Sequence, residues 1–117
     1  MTILVAIADD QNDVRAALRV LIETETDLQL AFEAARCDEL FRALDTTCLD
    51  LLLIDWELPG LHDDGALTTL RAKCGQTYIV AMSASPEARQ NALDAGLDAF
   101  VCKGDPPESL LAVIQKG

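Results

Sequence analysis

Aromatic residues are scarce in this chain: five Phe, Trp or Tyr stand among 117 residues, so the interior must be built from Leu, Ile, Val and Ala. Basic residues are scarce too, with nine Lys and Arg against twenty Asp and Glu and a formal charge of −11. Affinity for nucleic acid rests on neutralising phosphates with Lys and Arg. The domain is therefore a poor candidate to bind DNA or an anionic membrane directly. The four cysteines at 37, 48, 74 and 102 form no CxxC pair and no CxxC…H spacing. They read as free thiols in a reducing cytosol. His62 is the only histidine and lies in a polar loop, where it is assigned no ligand or catalytic role. No stretch approaches the ~18 apolar residues of a membrane span. The N-terminal MTILVAIADD turns acidic after a short apolar run, unlike a secretory signal. A cytoplasmic location is expected.

What the chain does have is aliphatic bulk, since half of its residues are hydrophobic. A domain of this length buries roughly two-thirds of its unfolded surface, so it needs neither disulfide nor metal to complete a core. Ile3 to Ala8 is a continuous apolar run, the pattern of a strand covered on both faces. Val14, Ala17, Leu18, Leu21 and Ile22 then recur at helical spacing, with Arg15, Arg19 and Glu23 elsewhere. Leu28 to Phe32, Leu51 to Ile54, Tyr78 to Met82 and Ala99 to Cys102 supply four more strands. Leu40, Phe41 and Leu44 mark a second helix, and Leu67 and Leu70 a third that ends near Gly75. A fourth helix is expected to start with Ser85 as cap and Pro86 at its first position, and to stop at Ala95-Gly96. The fifth starts at Asp105-Pro106-Pro107-Glu108 and presents Leu110, Leu111 and Ile114 to the core. The reading is a single (βα)5 domain over residues 1–117, a flavodoxin-like doubly wound parallel sheet of strand order 2-1-3-4-5.

Four of the five strands run out into polar residues. The first ends at Asp9-Asp10, the third at Asp55, the fourth at Ser83 and the fifth at Lys103. In an open parallel sheet ligands bind outside the carboxyl ends of the strands. The order 2-1-3-4-5 makes these four strands adjacent and leaves the second, which carries none of the set, at the edge. Each residue alone is ordinary: a helix cap, a turn acid, a solvated lysine, a strand-end hydroxyl. Their convergence is not. Three ionised carboxylates in one place repel one another unless paired, and a hard divalent cation such as Mg²⁺, with its oxygen ligands and affinity for phosphate oxygens, relieves that conflict. Lys103 adds a compact positive charge and Ser83 a hydroxyl donor for an oxyanion.

The chain also resembles the receiver domain of two-component response regulators along essentially its whole length. The matching segments are VAIADDQ, LLLIDWELPG, AMSAS and AFVCK. The resemblance is strongest to receivers that precede a LuxR-type helix-turn-helix output domain. It implies that Asp55 is the phosphoacceptor, attacking a phosphohistidine in line. It implies that Asp9, Asp10 and Asp55 hold Mg²⁺ together with the backbone carbonyl of Glu57, and that Ser83 and Lys103 contact the phosphoryl oxygens. Phe100 matches the aromatic residue that changes rotamer when Ser83 is drawn to the phosphate. The implied partners are a histidine kinase or phosphotransfer protein and an output domain, absent from this chain, or a second receiver in a homodimer. A receiver's last helix would stop near Gly117.

The chain departs from that pattern in three places. Gly104 stands where proline often follows the lysine, and without proline a cis bond there costs about 2.5–4 kcal/mol. The loop GLHD after Pro59 is longer than typical, and Ser83 replaces the more frequent threonine. Two further readings compete. A phosphate-independent receiver-like interaction module commonly lacks one of the acids or the lysine, and this chain keeps them all. An aspartyl-phosphate phosphohydrolase typically has a second aspartate two residues after the nucleophile, where this chain has Glu57. A flavin carrier is weaker still, because the first strand–helix loop is acidic.

Overall fold

The computed structural model describes residues 2–116. Strands β1 (Ile3–Ala8), β2 (Leu28–Ala34), β3 (Leu51–Asp55), β4 (Tyr78–Ser83) and β5 (Ala99–Cys102) alternate with helices α1 (Asn12–Glu23), α2 (Cys37–Leu44), α3 (Ala66–Lys73), α4 (Ala88–Asp94) and α5 (Pro107–Lys116). The strands form one parallel sheet in the order β2-β1-β3-β4-β5, as the sequence predicts. The expected stop at Gly117 lies outside the described residues.

Side chains on a strand point alternately to opposite faces, and the aliphatic strands use both. Ala6, Ala8, Leu52, Ile54, Ile79, Ala81 and Phe100 face one way, against Leu40 of α2, Leu70 of α3 and Ala92 of α4. Val5, Ile7, Leu51, Leu53, Val80, Met82 and Val101 face the other way, against Ile22 of α1 and Leu110 and Ile114 of α5. Burial on both faces is why β1, β3 and β4 are near-continuous hydrophobic runs. Strand β2 lies at the edge and is mostly half-buried. Its pairing with β1 shifts register between Val5 and Ala6, so Leu30 and Phe32 follow successive β1 residues and Ala31 bulges out.

Two helices differ from their sequence patterns. The Ser85-Pro86 start lies in a turn rather than in α4: the carbonyls of Ser85 and Pro86 accept the N–H groups of Ala88 and Arg89, and the regular helix begins at Ala88. The tight turn consumes the residues that would have formed the first α-helical turn. In α1, Ala17 is exposed and Val14, Leu18 and Leu21 are only partly buried, leaving Ile22 as its one buried residue. These side chains border a groove of about 530 Å³ shared with Pro107 and Leu110 of α5. Helix α1 is anchored by Ile22, with Leu18 and Leu21 packed against the same layer, and Arg19 adds a pair of hydrogen bonds to both oxygens of Glu33 on β2 at 2.6 and 2.9 Å.

Helix α2 is fixed through its first residue. The Cys37 N–H donates to the Pro59 carbonyl at 2.9 Å, and Gly60 follows with φ 92°. A Cβ at Gly60 would lie 3.0 Å from the Cβ of Cys37, whereas one at Gly75 would meet nothing within 4 Å. Gly60→Ala is therefore expected to lower stability by about 1–3 kcal/mol through left-handed strain and close contact. Gly75→Ala is expected to stay within about 0.5 kcal/mol of the parent. Urea unfolding of both variants reads the difference.

Candidate functional site

The sheet's hydrogen-bond ladder continues past the strand ends and sets the site residues in place. The Asp9 N–H donates to the Ala34 carbonyl at 2.9 Å, the Trp56 N–H to the Met82 carbonyl at 2.8 Å, and the Lys103 N–H to the Ser83 carbonyl at 2.8 Å. Asp9, Asp55, Ser83 and Lys103 are thus placed by backbone pairing before their side chains make any contact. Asp10 follows Asp9 in the bend before α1 and is exposed. Arg15 reaches back from α1 to donate to the Asp9 carbonyl at 2.6 Å.

The structure brings the predicted acids together. Carboxylate oxygens of Asp9, Asp10 and Asp55 lie within 4.8 Å of one another. Asp9 is fully buried and Asp55 is 2 % exposed. Lys103 Nζ sits between them, 2.8 Å from Asp9 Oδ2 and 3.4 Å from Asp55 Oδ1, and donates to Gln11 Oε1 at 3.1 Å. Asp9 Oδ1 accepts the Gln11 N–H at 2.9 Å and Asp55 Oδ1 the Glu57 N–H at 3.0 Å. Asp9 Oδ2 has no donor aligned for a hydrogen bond, so its approach to Lys103 is ionic contact alone. A buried carboxylate oxygen without a hydrogen bond is costly. That atom, whose one partner is the Lys103 ammonium at 2.8 Å, stands beside two further carboxylates and fits a hard divalent cation with oxygen ligands.

Electrostatics follow from this crowding. Burial pushes the Asp55 carboxyl up to about 6; the Glu57 N–H pulls it down, the Asp9 charge pushes it further up, and Lys103 pulls it down again. Burial lowers the Lys103 ammonium, but Asp9 and Asp55 together more than offset it and leave it above its ordinary value.

Ser83 is fully buried at the end of β4, and here sequence reasoning missed a residue. Its hydroxyl donates to the Glu57 carboxylate, with Oε1 and Oε2 at 3.0 and 2.9 Å, and its oxygen accepts the Ser85 N–H at 3.0 Å. Glu57 was expected to contribute only its backbone carbonyl. An acid two residues after a strand-end aspartate was the available signal. Phe100 is 4 % exposed and packs inward in the core on the α4 side, with the Arg89 guanidinium 5.2 Å from its ring centroid. In the longer loop, His62 Nε2 lies 2.6 Å from the Trp56 carbonyl, and its ring meets the indole edge-on at 4.4 Å. That pair tethers the loop to the residue after Asp55. The peptide after Lys103 is trans, as are all bonds among the described residues. Cys37 is buried, and burial pushes its thiol up to about 11, an unreactive state.

A carboxyl whose folded-state pKa is raised destabilises the fold once it ionises. The unfolded Asp55 releases its proton near pH 4 and the folded one near pH 6, so stability falls as pH rises through that window. The cost at neutral pH is about 3 kcal/mol before solvent relaxation. Asp55→Asn is expected to stabilise the metal-free protein by about 1–3 kcal/mol at pH 8, with the gain shrinking toward pH 4. Urea unfolding in chelator at the two pH values checks it.

The sequence and the fold are matched among known proteins. A sequence profile described as the response regulator receiver domain matches residues 5–115. The uncharacterized transcriptional regulatory protein YhcZ of Bacillus subtilis is 30% identical over 113 residues, which cover 95% of this chain and 53% of that protein. The chain thus spans about half the length of this relative. Among solved structures, a LuxR-family two-component response regulator from Aurantimonas sp. SI85-9A1 superposes with a TM-score of 0.87 at 28% identity, covering 99% of this chain and 84% of that one. The isolated REC domain of RcsB from Salmonella enterica serovar Typhimurium, determined with the phosphomimetic BeF3−, shares the fold with a TM-score of 0.85 at 23% identity. That match covers 100% of this chain and 91% of the RcsB chain. With a parallel 2-1-3-4-5 sheet, an acidic cluster at its carboxyl edge and a family match over nearly the whole chain, the protein belongs to the response regulator receiver domain family.

Proposed function

We propose that the domain is a phosphoaccepting switch of a two-component system, taking a phosphoryl group from phosphohistidine onto Asp55. The observation that carries this reading is one buried, crowded carboxylate, Asp55, flanked by an ammonium and a second buried acid. Its Oδ1 accepts the Glu57 N–H and faces Lys103, so Oδ2 is the oxygen available for attack. A carboxyl with a pKa near 6 is largely ionised at neutral pH, yet more basic than an ordinary aspartate. In the transfer the Asp55 O–P bond forms as the P–N bond to the donor imidazole breaks, and the imidazole keeps its electron pair and takes a proton.

Asp9, Asp10, Asp55 and the Glu57 carbonyl would hold Mg²⁺, which when bound neutralises charge on the phosphoryl oxygens. Lys103 pairs electrostatically with the transferred group and Ser83 donates a hydrogen bond to it. Phosphorylation then biases two pre-existing conformations that involve Ser83, Phe100 and the surface of α4, β5 and α5. The partners are a histidine kinase or phosphotransfer protein and an output controlling transcription, with a homodimer as a further assembly. The setting is the cytoplasm. Among the described residues no helix is long and apolar enough to cross a membrane.

Incubation with Mg²⁺ and acetyl phosphate, read by intact mass, is expected to add a single phosphoryl group to the parent protein. Asp55→Asn or a chelator should abolish the gain. A parent protein that gains nothing from acetyl phosphate or from a phosphohistidine donor would instead be a phosphate-independent interaction module.

A further inference from the structure

The Ser83 hydroxyl is already committed. It carries one proton, which goes to the Glu57 carboxylate, while its oxygen accepts the Ser85 N–H. It cannot donate to Glu57 and to a phosphoryl oxygen at the same time. Glu57 is exposed between the half-buried Trp56 and the buried Leu58, and its side chain reaches inward to the fully buried Ser83. Hydrogen bonds to an ionised acceptor are the strong ones. A phosphoryl group on Asp55 would set further negative charge two residues from Glu57, and like charges at such range repel.

We infer that the Glu57 carboxylate is a gate on Ser83. It holds the hydroxyl away from Asp55 until an incoming phosphoryl group displaces it, and so slows charging of the site. Glu57 is a positioning residue in this role, acting through Ser83. The exchange has a route outward. The hydroxyl that leaves Glu57 is the one that accepts the Ser85 N–H, and the Ser85 carbonyl accepts the N–H of Ala88, the first residue of α4. Ser83 changing partner therefore disturbs the turn that launches α4. The inference rests on the phosphoacceptor reading of Asp55.

The test compares the parent domain with Glu57→Ala, Glu57→Gln, Ser83→Ala and the Glu57→Ala/Ser83→Ala pair. All these substitutions leave the Glu57 backbone carbonyl in place. Two quantities are read: the rate of mass gain from acetyl phosphate with Mg²⁺, and the affinity for fluoroberyllate followed by Trp56 fluorescence. Circular dichroism verifies that each variant is folded. Glu57→Ala is expected to charge about tenfold faster and bind fluoroberyllate about tenfold tighter. Glu57→Gln, which keeps an acceptor oxygen without the charge, should fall between. In the Ser83→Ala background the gain from removing Glu57 should shrink to about threefold or less, the remnant of plain charge repulsion. An equal gain in both backgrounds, or no gain in either, overturns the gate. A parent protein that neither gains mass nor binds fluoroberyllate removes the phosphoacceptor reading itself, and the gate falls with it. The inert parent tells that failure from the other.

Discussion

Two carboxylates, Asp9 and Asp55, lie in the interior of the protein with a single ammonium, Lys103, within reach of both. Isolated ionised acids do not stay buried without partners. Here the partners are the Gln11 and Glu57 N–H groups, supplied by the loops that follow β1 and β3. Lys103 is delivered from the end of β5, two strands from β3, by its own N–H bond to the Ser83 carbonyl. The parallel order β2-β1-β3-β4-β5 makes this convergence possible, because it aligns the four chemistry-bearing strand ends on one edge.

The arrangement stores destabilisation where chemistry is proposed to occur. Asp55 is held above its ordinary pKa, and Asp9 Oδ2 lacks a hydrogen bond. The aliphatic layers on both faces of the sheet must supply the compensating stability, and they do so with Leu, Ile, Val and Ala rather than aromatic bulk. Phe100 is the one buried aromatic among the described residues, while Phe32, Phe41, Trp56 and Tyr78 pack half-buried against the layers. Phe100 lies in the layer beneath α4, capped by Arg89, where the exchange at Ser83 would reach it.

The fold was legible because the chain repeats one physical pattern five times, a short apolar strand followed by a helix, with β1, β3 and β4 buried on both faces. β1 and β5 begin and end where their apolar runs do, and β3 and β4 extend one residue further to include Asp55 and Ser83. Those two residues are strand ends because their backbones still pair, which a hydropathy pattern does not register. The α4 start was misplaced because Ser-Pro reads as cap and first position, whereas hydrogen bonds to the Ser85 and Pro86 carbonyls make it a tight turn. Ala17 of α1 has the spacing of a core residue but is exposed, since spacing cannot say whether another surface lies opposite. The acids and the lysine of the site were found through strand ends. Glu57 was not, because its side chain reaches Ser83 only once β3 and β4 are side by side.

The central claim is that Asp55 is a buried carboxylate under electrostatic strain that a divalent cation relieves. The most direct measurement is the carboxyl carbon resonance of Asp55, followed by NMR against pH in chelator and again in saturating Mg²⁺. The account predicts titration near pH 6 without metal and a fall below the ordinary aspartate range, near 4, once Mg²⁺ is bound. Titration at the ordinary value in both conditions would contradict it, and the strand-end cluster would then carry neither strain nor a cation.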